Sequence, residues 1–137
     1  MTTAQDMDTL ARTIWGESRG ESWLGKVAVA HVILNRVKTP KRRRWWGDTI
    51  HDVCTYPMQF STWNQDDINR PKMERLTFDD ETFRECLAAA SAAVHGLEPD
   101  PTEKSTHYHT RAVEPRWARG KEPVAVIGVH LFYRGIQ

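Results

Sequence analysis

The residue best suited to acid–base chemistry is Glu17, which lies in the run from Ile14 to Glu21. The run begins with an apolar, aromatic segment, and Gly16 and Gly20 flank the glutamate. A carboxyl group at the end of an apolar helix face is partly dehydrated, which raises its pKa and keeps its proton available near neutral pH. A surface glutamate at a helix end would show the same pattern. Glu17 is therefore a candidate catalytic acid rather than an assigned one.

Glu21 is the second acid of this run. It follows Glu17 by four residues, but Gly20 interrupts the helix, so the two carboxylates need not share a face. We expect Glu21 to cap a helix or to form an ion pair with Arg19 or Lys26. It remains only a possible supporting residue.

Residues 59–64 combine an amide, a hydroxyl and an indole within one short segment. Tryptophan rings stack on sugar rings, while amide and hydroxyl groups pair with sugar hydroxyl and acetamido groups. The segment is therefore a candidate sugar-binding loop, with substrate contacts from Gln59, Ser61, Trp63 and Asn64. The alternative is a loop held in place by buried Phe60 and Trp63, since polar-aromatic loops line many ligand clefts.

The third candidate segment is His107-Tyr108-His109, which a strand would divide between two faces. The two histidines could bind a metal ion with Glu17 or Asp100, but no HExxH or comparable ligand spacing supports such a site. We therefore expect no metal and no cofactor. Tyr108 is expected to enter a cleft while the histidines hydrogen-bond locally. His107 is kept as a candidate substrate contact and His109 as a possible supporting residue.

Apolar periodicity predicts most of the elements that position these groups, whereas Val27–Leu34 is apolar on every face, and the length of its segment and its alanines favour a buried helix over a buried strand. A helix is expected over 5–17, and a second, buried helix over 23–37 with Ser22 as its N-cap. Further expectations are a short helix over 49–54 capped by Asp48, an irregular stretch over 58–77, a helix over 80–95, and extended segments over 107–110 and 124–133. The sum is a mainly helical α+β chain, residues 1–137, forming one domain with a substrate cleft.

Size and charge limit the function classes. A chain of 137 residues is the usual size of one domain, and its net charge of +1 is too balanced for nucleic acid to be the main partner. Cys54 and Cys86 lie outside any CxxC pair, which argues against a structural zinc site. We expect two buried thiols, with a single disulfide bridge as the alternative if the protein works in an oxidising space. The N-terminus lacks the regions of a signal peptide, and the apolar run Val27–Leu34 is too short to span a membrane. We expect a monomer that is synthesised in the cytoplasm and does not insert stably into membranes.

Together these segments resemble the SleB-type cell-wall hydrolases, which include spore-cortex-lytic enzymes and some phage endolysins. The first and longest block of the resemblance covers residues 10–21 and 25–37. It continues in order through Gln59-Phe60-Ser61, Trp63-Asn64, 88–96, 100–102, 106–108, Ile127-Gly128, His130 and Phe132. The resemblance therefore spans nearly the whole chain.

The resemblance implies a lysozyme-like fold similar to that of lytic transglycosylases, and it places the catalytic glutamate at Glu17. The implied substrate is the peptidoglycan glycan strand, cut at the β-1,4 bond between N-acetylmuramic acid and N-acetylglucosamine. In a lytic transglycosylase the muramic acid 6-hydroxyl attacks and one acid suffices, whereas a muramidase uses water and usually a second acid. Because Glu21 and Asp66 are second acids without supporting pattern, we expect a lytic transglycosylase, with a muramidase as the alternative.

Two other function classes stay open. One is a metal-dependent amidase or peptidase that uses His107 and His109, and the other is a wall-binding module without turnover that uses Lys41–Trp46. This basic, tryptophan-containing run is not part of the family pattern, and we expect a solvated loop or, if it is functional, attraction to the anionic cell envelope. Without a signal peptide, the enzyme is expected to reach the wall through a pore made by another protein.

Overall fold

The computed structural model describes residues 1–136, and helices dominate it. Its α-helices are α1 (Ala4–Ser18), α2 (Trp23–Lys38), α3 (Ile50–Thr55), α4 (Arg70–Glu74) and α5 (Glu81–Val94). Its strands are β1 (His107–Thr110), β2 (Ala125–Ile127) and β3 (His130–Tyr133). The mainly helical α+β prediction therefore agrees with the observed elements.

Helix α2 is the centre of the core, as its uniformly apolar sequence predicts. Every residue of Val27–Leu34 is buried, because α1, α3 and α5 surround the helix together with the sheet. Ser22 caps α2 as expected, since its hydroxyl accepts the Gly25 N–H at 3.2 Å. His31 is a satisfied core histidine whose Nε2 donates to the Glu98 carbonyl at 2.9 Å.

Two local predictions are wrong. The stretch 58–77 is not wholly irregular, because it contains α4 and a 3₁₀ turn over Ser61–Trp63. The proline in the first turn of α4 makes the segment look irregular in the sequence. Proline is tolerated at this position because a backbone N–H in the first turn has no acceptor within the helix. Thr49 rather than Asp48 caps α3, since the Thr49 hydroxyl accepts the Asp52 N–H at 3.0 Å.

The three strands form one antiparallel sheet in the order β1-β3-β2. Its register places Tyr108 opposite Phe132, whose side chain packs against Ala28 and Val32 of α2. The tight connection between β2 and β3 passes through Gly128, which has a φ of +57°. The sheet therefore carries Tyr108 onto the face that covers α2.

Cys54 and Cys86 are both buried free thiols, as predicted. Burial raises the pKa of each thiol to about 12, so both are protonated near neutral pH. Within residues 1–136, no helix has the length and apolar character needed to cross a bilayer.

Candidate active site

Glu17 lies in the last turn of α1, beside the loop that follows α3. Gly16 allows the contact: a Cβ atom at this position would lie 2.5 Å from the Thr62 Cβ. Because glycine has no side chain, helix and loop meet directly next to the candidate acid. The half-buried Glu17 carboxylate accepts a hydrogen bond at Oε1 from the Tyr108 hydroxyl. Two predicted site residues from distant parts of the sequence are thus in contact.

Opposing influences act on the proton affinity of Glu17. Burial raises the pKa of its carboxyl group above the ordinary value and is the largest effect. The negative charge of Asp67 adds to this rise, whereas the Tyr108 hydrogen bond and the positive charge of Arg36 favour the carboxylate. The net effect is a raised pKa, which keeps a proton on Glu17 at higher pH than on an exposed glutamate.

Arg36 is the main site residue that the sequence reasoning missed. It occupies the last turn of α2, and only 6% of it is exposed. Its Nε donates to the Thr106 carbonyl at 2.7 Å, and its Nη1 donates to Gln59 Oε1 at 3.2 Å. The guanidinium carbon also lies 5.0 Å from the Trp46 ring centroid and 5.4 Å from that of Phe60.

The charge of Arg36 survives this burial. Desolvation lowers its pKa to about 10, which leaves the guanidinium protonated near neutral pH. The sequence does show a basic residue in the last turn of an apolar helix. This pattern does not indicate a buried site residue, because basic residues are common at helix C-termini, where they interact favourably with the helix dipole. Only the tertiary packing shows that Arg36 points inward and acts on Glu17.

Tyr108 is held by aromatic contacts on the inner side of β1. Its ring lies 4.8 Å from that of His130 and 5.6 Å from that of Phe132. Burial, followed by the charge of Glu17, raises the pKa of Tyr108 well above its usual value. The hydroxyl therefore stays protonated and remains a hydrogen-bond donor to Glu17.

The predicted sugar-binding loop contributes unevenly to the site. Gln59 joins it through Arg36, Ser61 is exposed at the start of the 3₁₀ turn, and Asn64 is half-buried at its end. The Trp63 indole N–H donates to the Thr13 hydroxyl at 2.8 Å. Trp63 therefore also anchors the loop to α1, which is the structural role weighed against sugar stacking.

The structure does not bring His107 or His109 to Glu17. Both lie on the sheet face opposite Tyr108, with ring centroids 5.0 and 5.7 Å from that of Trp117. His107 is only 8% exposed, so its predicted substrate contact finds no support in this geometry. His109 Nδ1 donates to the Thr110 carbonyl at 2.7 Å, and its Nε2 accepts from the Tyr133 hydroxyl at 2.9 Å.

Glu21 forms neither of the ion pairs expected from the sequence. Its Oε1 accepts the Val129 N–H at 3.1 Å, so it ties the α1–α2 connection to the β2–β3 connection. Lys26 instead pairs with Glu85, at 3.3 Å between Nζ and Oε1. The other proposed second acid, Asp66, is exposed, whereas its neighbour Asp67 is the carboxylate whose charge acts on Glu17.

Over residues 1–136, no group of three histidine, cysteine, aspartate or glutamate side chains is arranged to hold a metal ion.

Comparison with known proteins identifies the family. The profile of a family described as Cell Wall Hydrolase matches residues 20–133. The chain belongs to this family. The resemblance to SleB-type hydrolases is confirmed by the spore cortex-lytic enzyme of Bacillus subtilis (strain 168), which is 32% identical over 129 residues, or 93% of this chain and 37% of that protein. The corresponding Bacillus cereus enzyme is 32% identical over 128 residues, or 93% of this chain and 43% of that protein.

Two solved structures share the fold of this cell wall hydrolase family member. The catalytic domain of the Bacillus cereus SleB protein matches with a TM-score of 0.75 and 31% identity, over 96% of this chain and 91% of that chain. The catalytic domain of the germination-specific lytic transglycosylase SleB from Bacillus anthracis matches with a TM-score of 0.74 and 30% identity, over 95% and 94% respectively. The predicted lysozyme-like fold class is thereby confirmed. The chain spans less than half the length of the curated relatives reported above.

Proposed function

We propose that this protein cleaves peptidoglycan glycan strands at the β-1,4 bond between N-acetylmuramic acid and N-acetylglucosamine, as a lytic transglycosylase. The observation that carries the proposal is the half-buried Glu17 carboxyl group, which contacts Tyr108 and is influenced by buried Arg36. The likeness to the catalytic domain of a germination-specific lytic transglycosylase supports the same reaction. Glu17 is the acid in this mechanism.

Bond cleavage begins with protonated Glu17. It donates its proton to the glycosidic oxygen as the bond to the muramic acid anomeric carbon breaks, and the leaving sugar departs as an alcohol. An oxocarbenium-like centre develops on the muramic acid, and Glu17 becomes a carboxylate. The Tyr108 hydroxyl and the positive charge of Arg36 stabilise that carboxylate, because both favour the charged form.

The second step returns the proton to Glu17. The 6-hydroxyl of the same muramic acid attacks the anomeric carbon, and the Glu17 carboxylate accepts the hydroxyl proton. The product is a 1,6-anhydro end, and the enzyme regains its starting protonation state. One carboxyl group acting first as acid and then as base accounts for the whole cycle, so no second acid is needed.

A muramidase mechanism is the second candidate, and it is favoured by the presence of a second carboxylate, that of Asp67, near Glu17. The charge of Asp67 acts on Glu17, which makes it the available second carboxylate for activating water. However, Asp67 Oδ1 accepts the Asn69 N–H at 2.8 Å, which ties one of its oxygens to the loop. We therefore prefer the single-acid reaction.

The biological role extends this proposal. We propose an endolysin-type role, in which a monomeric enzyme reaches the wall through a pore made by a separate protein. Its support is the resemblance to a family that includes phage endolysins. Co-expression with and without a pore-forming protein tests it, because lysis only in the presence of the pore is expected.

Digestion of purified peptidoglycan followed by mass spectrometry tests the reaction. Anhydro ends indicate a transglycosylase, reducing muramic acid ends a muramidase, and freed stem peptides an amidase. Glu17→Gln should abolish release of soluble fragments while circular dichroism and binding to insoluble wall stay unchanged. Full activity in Glu17→Gln would refute the proposal, and complete loss of activity on chelation would favour the metal-dependent alternative.

A further inference from the structure

An exposed aromatic pair stands beside the candidate active site. The Trp45 and Tyr56 ring centroids lie 5.3 Å apart with an angle of 68° between their planes. Trp45 is 49% exposed and Tyr56 is 37% exposed, although residues of this type are usually buried to a larger extent. Their exposed ring faces match the flat, apolar face of a sugar ring, while the Tyr56 hydroxyl provides a polar group at the edge.

Basic side chains adjoin this pair. Lys41, Arg42 and Arg43 form an exposed 3₁₀ turn, and no ion pair found within residues 1–136 involves any of them. Arg44 differs, because its Nη2 lies 3.0 Å from Asp48 Oδ1 and its Nη1 donates to the Val37 carbonyl at 2.8 Å. Arg44 thus anchors the segment, and the preceding cations remain available for an anionic ligand.

The aromatic pair adjoins residues of the candidate site. Trp45 contacts Trp46 at 5.2 Å between ring centroids, and the Trp46 indole N–H donates to the Arg36 carbonyl at 3.0 Å. On the other side, the Tyr56 carbonyl accepts the Gln59 N–H at 3.2 Å. Trp45 therefore packs on a residue that is bonded to Arg36, and the backbone of Tyr56 is bonded to Gln59, whose side chain also binds Arg36.

We propose that Lys41–Arg43, Trp45 and Tyr56 form an outer platform that binds the glycan strand beyond the bond being cleaved. A sugar ring stacks on the exposed face of Trp45 while Tyr56, whose ring plane is inclined by 68°, contacts the edge of that sugar, and the cations attract the carboxylates of the peptide stems along the strand. The inference rests on the proposed function for the identity of the strand. Proximity to Gln59 and Arg36 favours a glycan over an anionic bilayer, since one strand can reach from the candidate site to the platform.

Two substitutions with matched controls test the platform. Trp45→Ala removes the main stacking surface, and Trp23→Ala is its control because Trp23 is also 37% exposed but lies on α2, hydrogen-bonded to Glu98. Arg42→Glu reverses one platform charge, and Lys121→Glu makes the same charge change at an exposed site in another segment. Circular dichroism and thermal unfolding establish that all four variants fold.

The first readout compares substrates of different length. The ratio of kcat/KM on long glycan strands to kcat/KM on a soluble tetrasaccharide should fall about tenfold in Trp45→Ala, the effect of losing one good aromatic contact. Arg42→Glu should lower the same ratio and weaken its dependence on salt, since exposed charges are screened. The ratio should stay at the wild-type value in both controls. An unchanged ratio in Trp45→Ala and Arg42→Glu would overturn the proposal.

Binding separates this inference from the proposed function. In the Glu17→Gln background, co-sedimentation with long strands requires no turnover, so it tests the platform even if the chemistry is assigned wrongly. Strands stripped of their peptide stems should lose the Arg42→Glu effect and keep the Trp45→Ala effect. The same variants are also tested for binding to vesicles of phosphatidylglycerol and phosphatidylcholine. If they weaken vesicle binding and leave strand binding unchanged, the occupant is a bilayer and the platform proposal is refuted.

Discussion

Gly16→Ala tests whether α1 and the loop after α3 must touch for Glu17 to be positioned. The added Cβ would lie 2.5 Å from the Thr62 Cβ and 2.6 Å from its Cγ2. Thr62 is buried, and its Cβ is fixed to the backbone, so no change of rotamer relieves the contact. Overpacking costs about 1–3 kcal/mol, and a Cβ–Cβ contact of 2.5 Å that no rotamer relieves belongs at the upper end of that range, about 2–3 kcal/mol, whereas alanine gains about 1 kcal/mol over glycine in a helix. A net loss of roughly 1–2 kcal/mol follows.

Thermal unfolding and kcat/KM on peptidoglycan measure the two consequences. The melting temperature should fall by roughly 4–8 °C for that loss in a chain of this size. The rate should fall at least about tenfold, because the displaced loop also carries Gln59, and small misplacements near reacting groups cost rate steeply. Both effects require backbone movement between Gly16 and Thr62.

Gly20→Ala is the matched control, because a Cβ at that position meets nothing within 4 Å. It should keep both stability and activity. Thr62→Gly in the Gly16→Ala background removes the three clashing atoms and should recover part of the rate. If Gly16→Ala kept the same melting temperature and kcat/KM as Gly20→Ala, the contact between Gly16 and Thr62 would not be needed to position Glu17.

Three further predictions follow from the charges around the site. In the proposed mechanism Glu17 must be protonated, so kcat/KM should fall as pH rises through its raised pKa. Tyr108→Phe should move this limb of the pH profile to higher pH and Asp67→Asn should move it to lower pH, and shifts in the same direction would contradict the assigned influences. Arg36→Met leaves the Thr106 carbonyl and the Gln59 side chain without their donor, and urea unfolding should show a loss of about 3 kcal/mol, against little change for exposed Arg42→Met. Burial lowers the pKa of His107 from about 6.5 in the unfolded chain to about 4 in the folded protein. Between these two values the unfolded chain binds more protons than the folded protein, so the free energy of unfolding should fall by up to about 3 kcal/mol as pH drops from about 6.5 to about 4. His107→Phe should flatten that part of the pH–stability curve, and an unchanged slope would show that His107 is not the group responsible.

The long elements could be predicted because each repeats one signal many times. Helices α1 and α5 have sustained apolar periodicity, and α2 has a long run that is apolar on every face; each has a capping residue before its first turn. Helix α4 has only five residues, which is too few for a periodic pattern, so tertiary contacts with α1 and the 3₁₀ turn decide its conformation.

The site was predictable one residue at a time but not as an arrangement. Glu17 and Tyr108 were each selected by chemistry, yet 91 positions separate them and no local pattern links them. Asp66 rather than Asp67 was chosen as a candidate second acid, because an irregular loop has no repeating pattern from which the inward-facing residue could be predicted. The burial of Arg36 depends on Thr106, Gln59 and Trp46, which come from three other segments.

The opposing influences on Glu17 suit a group that must act in both directions. Burial alone would give a carboxyl group that keeps its proton but is costly to ionise in the first step. The Tyr108 hydrogen bond and the Arg36 charge reduce that cost, because each interacts more favourably with the carboxylate than with the neutral acid. If they dominated, Glu17 would be ionised too early to donate. Burial has the largest effect, so the pKa of Glu17 is raised and the carboxyl group keeps its proton to higher pH than an exposed glutamate does, while its conjugate base forms among groups already placed to stabilise it.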